Sequence, residues 1–127
     1  MSAYLLDTHA LVWWWLADPQ LSSVASTAIL DGSVVVSAVS IYEIANKVRL
    51  GKLSALAGIL AVYRDALAGD SFSSLAVTMD HAHHAGVLMG CHRDPFDRLI
   101  AAQALTEDMT VITRDPEIAA FGCKVLW

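Results

Sequence analysis

Four acidic residues lie where strand-like segments give way to helix-like ones: Asp7, Glu43, Asp97 and Asp115. Carboxylates brought within about 4–6 Å of one another repel, and some take up protons at neutral pH unless a cation neutralises them. Hard divalent ions such as Mg²⁺ prefer oxygen ligands and keep several bound waters. Two such ions can activate a water and stabilise the leaving oxygen of a phosphodiester. If these acids converge in space, they predict metal-assisted phosphodiester hydrolysis.

Each acid also has an ordinary explanation as part of a helix start. Asp7 could cap the helix that follows it, and Ser40-Ile41-Tyr42-Glu43 has the form of a capping box. Asp94 and Asp115 each precede a proline, the usual order of an N-cap and the first helical residue. Capping is the commoner role for any one of them. Capping does not predict, however, that the acids gather on one side of a sheet.

The elements that must position these acids are short apolar strands alternating with helices. The sequence predicts strands at 3–6, 34–36, 75–78, 110–113 and 124–126. It predicts helices at 9–16, 22–30, 40–50, 54–67, 80–89 and 94–107, and a short helix from Pro116. In this reading Glu43 and Asp97 both lie in the first turn of a helix.

Apolar strands separated by helices indicate a parallel sheet covered on both faces. With right-handed crossovers, the expected fold is a three-layer α/β/α sandwich, formed as a single domain over residues 1–127. In such sheets the functional crevice lies beyond the carboxyl ends of the strands. We therefore expect the acids to meet at that edge.

The charge balance argues against binding of nucleic acid through a basic surface. The formal net charge is −5, with only eight Lys and Arg residues among 127. Affinity for polyanions normally comes from basic residues that displace counterions from phosphates. An acidic protein can still bind phosphates when divalent ions first neutralise a carboxylate cluster. The high hydrophobic content, 56%, further predicts that a partner covers part of the surface.

The sequence favours a cytoplasmic location and no association with a membrane. Its longest apolar run, residues 10–17, is well short of the roughly 20 residues that a membrane span needs. The start lacks the basic region of a signal peptide. Two cysteines, Cys91 and Cys123, do not make a disulfide framework.

Four segments of the sequence resemble the PIN-domain family, and within it most closely the VapC toxins of prokaryotic type II toxin–antitoxin modules. These segments are residues 4–11, 39–45, 94–104 and 111–115, of which Asp-Pro-Phe-Asp-Arg is the most specific. The resemblance runs from Tyr4 to about Phe121. It implies an Mg²⁺- or Mn²⁺-dependent ribonuclease with a parallel α/β/α fold, usually dimeric and inhibited by a cognate antitoxin, with RNA as the substrate.

By position, the resemblance places the family's four metal-binding acids on Asp7, Glu43, Asp97 and Asp115, and its Ser/Thr position on Thr113. All four acids are present, so the pattern is that of an intact site.

Three further residues near the acids are interpreted as supporting ones. We interpret Asp94 as a cap that supports the site rather than as a ligand. Two roles stay open for Arg98 and Arg114, which either hold a phosphate or pair with neighbouring acids.

Aromatic and imidazole residues offer other chemistry. For Trp13–Trp15, core packing or a partner surface is favoured over base stacking, because consecutive helical residues point in different directions. His81 and His84 share a helical face, but zinc needs three or four ligands and no cysteine has a matching spacing. His9 and His92 lie close in sequence to the predicted acids, so either could approach them.

Three alternatives compete with a nuclease. A phosphoryl-accepting receiver-like domain needs paired acids at the first strand and a Lys-Pro, and the sequence contains no Lys-Pro. A haloacid-dehalogenase-type phosphatase needs Asp-x-Asp there, whereas position 9 is His. A non-catalytic scaffold that binds a partner through apolar surface is disfavoured by the complete set of acids, but the sequence leaves it open.

Overall fold

A computed structural model describes residues 3–127. In this part of the chain five strands and eight α-helices follow one another in an alternating order. They are β1 (Tyr4–Leu6), α1 (Thr8–Leu16), α2 (Ser23–Asp31), β2 (Val34–Ser37), α3 (Ala38–Arg49), α4 (Ala57–Ala61), α5 (Tyr63–Gly69), β3 (Ser73–Leu75), α6 (Met79–Val87), α7 (Pro95–Glu107), β4 (Thr110–Ile112), α8 (Pro116–Ala120) and β5 (Val125–Leu126).

All five strands join one parallel sheet in the order β3-β2-β1-β4-β5. β1 lies at the centre, with Leu6 in register with Val36 of β2 and with Ile112 of β4. The carboxyl ends of these three strands therefore meet at one edge of the sheet. The predicted three-layer α/β/α sandwich is confirmed.

The sheet separates two buried cores because neighbouring residues of a strand point to opposite faces. Leu6 packs in a core with residues of α1, α2 and α3, whereas Leu5 packs in a second core with residues of α7 and α8. Both leucines are fully buried. A strand with two buried faces reads as an unbroken apolar run, which explains why β1 and β4 were found at nearly the predicted places.

The predicted start of α3 was wrong. The helix begins at Ala38, and Ser37 is its N-cap, with Ser37 Oγ accepting from the Val39 amide at 3.0 Å. The same hydroxyl donates to Gln103 Oε1 of α7 at 2.6 Å. Ser40 is therefore a buried residue inside the helix rather than its cap, and Glu43 lies in the second turn rather than the first.

Two other segments also differ from the prediction. The helix expected over 54–67 is a 3₁₀ turn (Ser54–Leu56) followed by α4 and α5, with a break at Val62, whose ψ of 34° is not helical. Its apolar residues still pack in the first core, so tertiary contacts override a continuous helix. β3 lies two residues earlier than expected. It includes two serines, which an exposed edge strand tolerates but an apolar pattern does not predict. Thr78, expected at the end of this strand, is the N-cap of α6.

None of the helices in residues 3–127 is both long and apolar enough to cross a membrane.

Two valines paired across β4 and β5 test how much the sheet depends on burial. Val111 is fully buried and lies in register with Val125, which is 41% exposed. We expect Val111→Ala to lower the free energy of unfolding by about 2 kcal/mol, because it leaves a cavity between the sheet and α7. Val125→Ala, the matched control, should cost clearly less in urea denaturation. Equal losses would contradict the assignment of β5 as an exposed edge.

Candidate active site

Asp7 stands where β1 ends and α1 begins. Its Oδ1 accepts from the Ala10 amide at 2.8 Å, so Asp7 is the N-cap of α1. The residue is only 7% exposed, and this burial raises the pKa of its carboxyl group. Hydrogen bonds from Thr113 and from the Ala10 amide act in the opposite direction, and repulsion from Asp97 adds to the rise. Asp7 is therefore a helix cap whose carboxylate is also repelled by Asp97 of α7.

Glu43 is held at the same edge by Thr8. Thr8 Oγ1 donates to Glu43 Oε1 at 2.7 Å and lies 3.0 Å from Ser40 Oγ. Partial burial raises the pKa of the Glu43 carboxyl, the Thr8 bond lowers it, and repulsion from Asp94 and Asp97 raises it further. The residue after Asp7 thus links the start of α1 to α3.

Asp97, Asp115 and His92 lie close enough together to contact one metal ion. One ligand atom from each lies within 4.8 Å of the others, and this is the only such group of His, Cys, Asp and Glu in residues 3–127. His92 Nε2 is 2.8 Å from Asp97 Oδ2, and that bond raises the pKa of the imidazole. Burial raises the pKa of Asp97, as do the charges of Asp94 and Asp115.

The turn after β4 holds Asp115. Asp115 accepts from the Glu117 amide at 2.9 Å as the N-cap of α8, and its own amide donates to Thr113 Oγ1 at 3.0 Å. Asp94 caps α7 through the amides of Phe96 and Asp97 and is exposed. The two explanations of the acids are therefore compatible, because a capping carboxylate also lies among other acids. Their roles as metal ligands stay a prediction.

Neither role proposed for Arg98 matches its contacts. Its guanidinium donates to the carbonyls of Ala85, Leu88 and His92, and it stacks on Phe121 at 5.4 Å. These bonds fix the segment that connects α6 to α7 and carries His92. Arg98 thus holds in place the segment that carries His92, and it has few donors left for a phosphate.

Histidines 81 and 84 are engaged elsewhere. His81 is fully buried; its Nδ1 accepts from the Thr78 amide at 3.0 Å and its Nε2 bonds Glu107 at 2.9 Å. His84 Nδ1 bonds Thr106 at 2.9 Å. Both nitrogens of His81 are occupied, so the structure gives no support to zinc at this pair.

The tryptophans pack as the sequence suggested. All three lie against the first core, and Trp14 Nε1 donates to Asp70 at 3.1 Å. Trp13 also faces an open cleft of about 300 Å³ beside the acids. That cleft is lined by Asp7, His9, Trp13, Arg114, Asp115 and Pro116.

The sequence did not single out Thr8 or Ser40 as part of the site. A signal was present, since Ser40 and Glu43 are three residues apart and so share one face of α3. The interpretation of Ser40 and Glu43 as a capping box accounts for both residues without Thr8. The sequence places His92 near the acids in the chain but does not predict its bond to Asp97.

The donor set fits Mg²⁺ or Mn²⁺, since it consists mainly of carboxylate oxygens. Burial and mutual repulsion raise the pKa of Asp7, Glu43 and Asp97, so their ionised forms are destabilised without a cation. A divalent ion would reverse that penalty.

Comparison with known proteins identifies the family. The model of the PIN domain matches residues 4–122, and the chain belongs to the PIN-domain family. Over 118 residues it is 29% identical to Ribonuclease VapC22 of Mycobacterium tuberculosis (strain ATCC 25618 / H37Rv), a match that covers 91% of this chain and 88% of that protein. The resemblance seen in the sequence is confirmed.

Solved structures share the fold at lower identity. VapBC2 from Rickettsia felis, bound to a DNA fragment from their promoter, gives a TM-score of 0.73 at 16% identity, covering 98% of this chain and 97% of that one. A toxin–antitoxin complex from Klebsiella pneumoniae gives 0.69 at 19%, covering 98% and 96%. FitAcB from Neisseria gonorrhoeae gives 0.68 at 23%, also covering 98% and 96%.

The bonds of Arg98 lead to a test of its positioning role. Arg98→Met keeps the apolar stem but removes the donors to three carbonyls, and we expect it to cost about 2 kcal/mol of unfolding free energy. Amide hydrogen exchange should rise in the segment between α6 and α7. Arg93→Met, an exposed neighbour, is the control and should change neither quantity. Unchanged exchange in the Arg98 variant would show that the segment is held by other contacts.

Proposed function

We propose that this protein is an Mg²⁺- or Mn²⁺-dependent endoribonuclease of the VapC type, the toxin of a toxin–antitoxin pair. The observation that carries the proposal is that carboxylates from the end of β1, from α3, from α7 and from the turn after β4 lie close enough to repel one another. The raised pKa values of Asp7, Glu43 and Asp97 support a site that is stable when a cation is bound. The relation to Ribonuclease VapC22 supports RNA as the substrate.

In this proposal Asp7, Glu43, Asp97 and Asp115 are the residues that hold the metal. When bound, the metal supplies an activated water and stabilises the leaving oxygen of the phosphodiester. Thr8 orients Glu43, and Thr113 fixes the turn that presents Asp115. His92 orients Asp97 through its Nε2, leaving the other oxygen of that carboxylate available.

We further propose a cognate antitoxin and a homodimer as partners. Several solved structures with this fold are described as toxin–antitoxin complexes. The chain also exposes large apolar side chains, among them Met79, Val87 and Met89, which are 90%, 59% and 88% exposed. A protein of this size gains from covering such side chains with a partner. A cytoplasmic location is consistent with this proposal.

Removing one predicted ligand tests the catalytic assignment. Asp97→Asn should reduce cleavage of a total RNA pool by at least about 100-fold, since changes even to residues behind a metal ligand cost 10–100-fold. Asp7→Asn should do the same while keeping the cap of α1, because Asn caps as well as Asp. Chelation should abolish wild-type cleavage, and Mg²⁺ or Mn²⁺ should restore it.

The control for these variants is Asp65→Asn, which removes an exposed acid from the first turn of α5. It should cleave RNA like the wild-type protein. Thermal melting in chelator should show that both site variants are folded, since an uncharged amide is easier to bury than a carboxylate. Full activity of folded Asp7→Asn and Asp97→Asn in saturating metal would remove these residues from the mechanism.

Growth on expression tests the toxin role separately from the chemistry. Production without a partner should slow bacterial growth, and the Asp97→Asn variant, at equal soluble yield, should not. Slowed growth by both would point to toxicity from aggregation or titration of a host factor rather than cleavage. Normal growth with soluble, active wild-type enzyme would contradict the toxin role but not the nuclease.

A further inference from the structure

The cleft beside the acids is lined by two chemically different sets of side chains. One set is the carboxylates of Asp7 and Asp115, and the other is His9, Trp13 and Arg114. A cleft of about 300 Å³ can admit part of a nucleotide strand. The acids are assigned to the metal site, whereas the aromatic and cationic side chains have no role in it.

Arg114 has an unexpected set of contacts. It directly precedes Asp115, yet in residues 3–127 it forms no ion pair with any carboxylate. Its guanidinium carbon lies 4.4 Å from the centroid of the Trp13 ring, and its Nη2 donates to the neutral Gln20 Oε1 at 3.0 Å. An arginine that stacks by its flat face keeps most of its donors free at its edge.

The platform under Arg114 is fixed. Trp13 is partly buried in α1, meets Trp127 edge-on at 5.7 Å, and lies stacked with His9 at 5.5 Å. The helix that carries Trp13 begins at Asp7, and the turn that carries Arg114 also carries Asp115. The distance between the guanidinium and the acids is therefore set by two short, well-packed segments.

The low number of basic residues makes this placement informative. The chain has eight Lys and Arg residues. One of them, Arg98, donates to three backbone carbonyls. Arg114 lines the cleft together with the acids, but its two contacts, the Trp13 ring and Gln20 Oε1, are both uncharged. Because Arg114 is exposed and forms no ion pair in residues 3–127, its edge donors are available for charge-assisted hydrogen bonds to an anion such as a phosphate.

We propose that Arg114 binds a phosphate next to the scissile one in the RNA strand, and that Trp13 and Gln20 hold its guanidinium in place for this contact. The inference rests on the proposed ribonuclease function and adds where the strand runs. In this proposal the RNA strand runs from the acids toward α1 and passes over the guanidinium of Arg114. Arg114 is then a binding residue, and Trp13 and Gln20 are positioning residues.

The experiment measures cleavage of an oligoribonucleotide, chosen from the ends mapped in total RNA, over a range of salt concentrations. Arg114→Gln should raise KM on the order of tenfold at low salt, with a much smaller change in kcat. It should also flatten the dependence of log(kcat/KM) on log salt by about 0.7, the value for one phosphate contact on a single strand. A merely structural role would leave that slope unchanged.

Three other variants sharpen the result. Arg114→Lys keeps the charge and should restore the slope but not the full affinity, because an ammonium does not stack as a planar group does. Gln20→Leu, an exposed change, should raise KM by less than Arg114→Gln. Lys124→Gln is the control for net charge, since it removes one positive charge at the amino end of β5, whereas the acids lie at the carboxyl ends of the strands. It should leave KM and the slope unchanged.

The outcomes separate the two proposals. Wild-type cleavage combined with an unchanged slope in Arg114→Gln overturns the phosphate contact and leaves the nuclease standing. An equal loss of slope in Lys124→Gln also overturns it, since the effect would then come from net charge. A wild-type protein that neither cleaves nor binds RNA in saturating metal overturns both.

Discussion

The structure depends on the carboxyl ends of three neighbouring parallel strands meeting at one edge. Leu6 is in register with Val36 and Ile112, so the residues that follow, Asp7 and Thr113, lie side by side. Acids attached to those ends are both desolvated and close to one another, and each effect raises a carboxyl pKa. Folding thus forces together groups that repel. The arrangement is favourable only when a cation takes up the negative charge.

Capping and metal binding do not exclude each other because a carboxylate has two oxygens. Asp7 and Asp115 each use Oδ1 to cap a helix, and Asp97 uses Oδ2 for His92. Each of these carboxylates keeps further lone pairs that can bind another partner. The caps also fix the side chains, which reduces the entropy lost when a ligand binds. Helix capping therefore places these carboxylates for metal binding and does not compete with it.

The sequence predicted the fold and the edge where the acids gather, because both follow from short-range patterns. Apolar runs of strand length, alternating with helices, indicate a covered parallel sheet, and Asp-Pro pairs mark helix starts. The pattern failed at the start of α3, where two serines lie close together in the sequence. Ser37 and Ser40 could each cap α3, and the bond from Ser37 to Gln103, 66 residues away, accompanies the earlier start.

Arg98 and Arg114 separate what the sequence determines from what only the tertiary structure decides. By itself the sequence determined the residue types, their place next to acids and the fold that carries them. Only the folded chain decided that Arg98 meets three carbonyls and that Arg114 lies on Trp13, with Gln20 as a partner 94 residues away. The reason is physical. A long side chain can contact any group that folding brings within about 6 Å of its end. Most of those groups come from distant parts of the sequence.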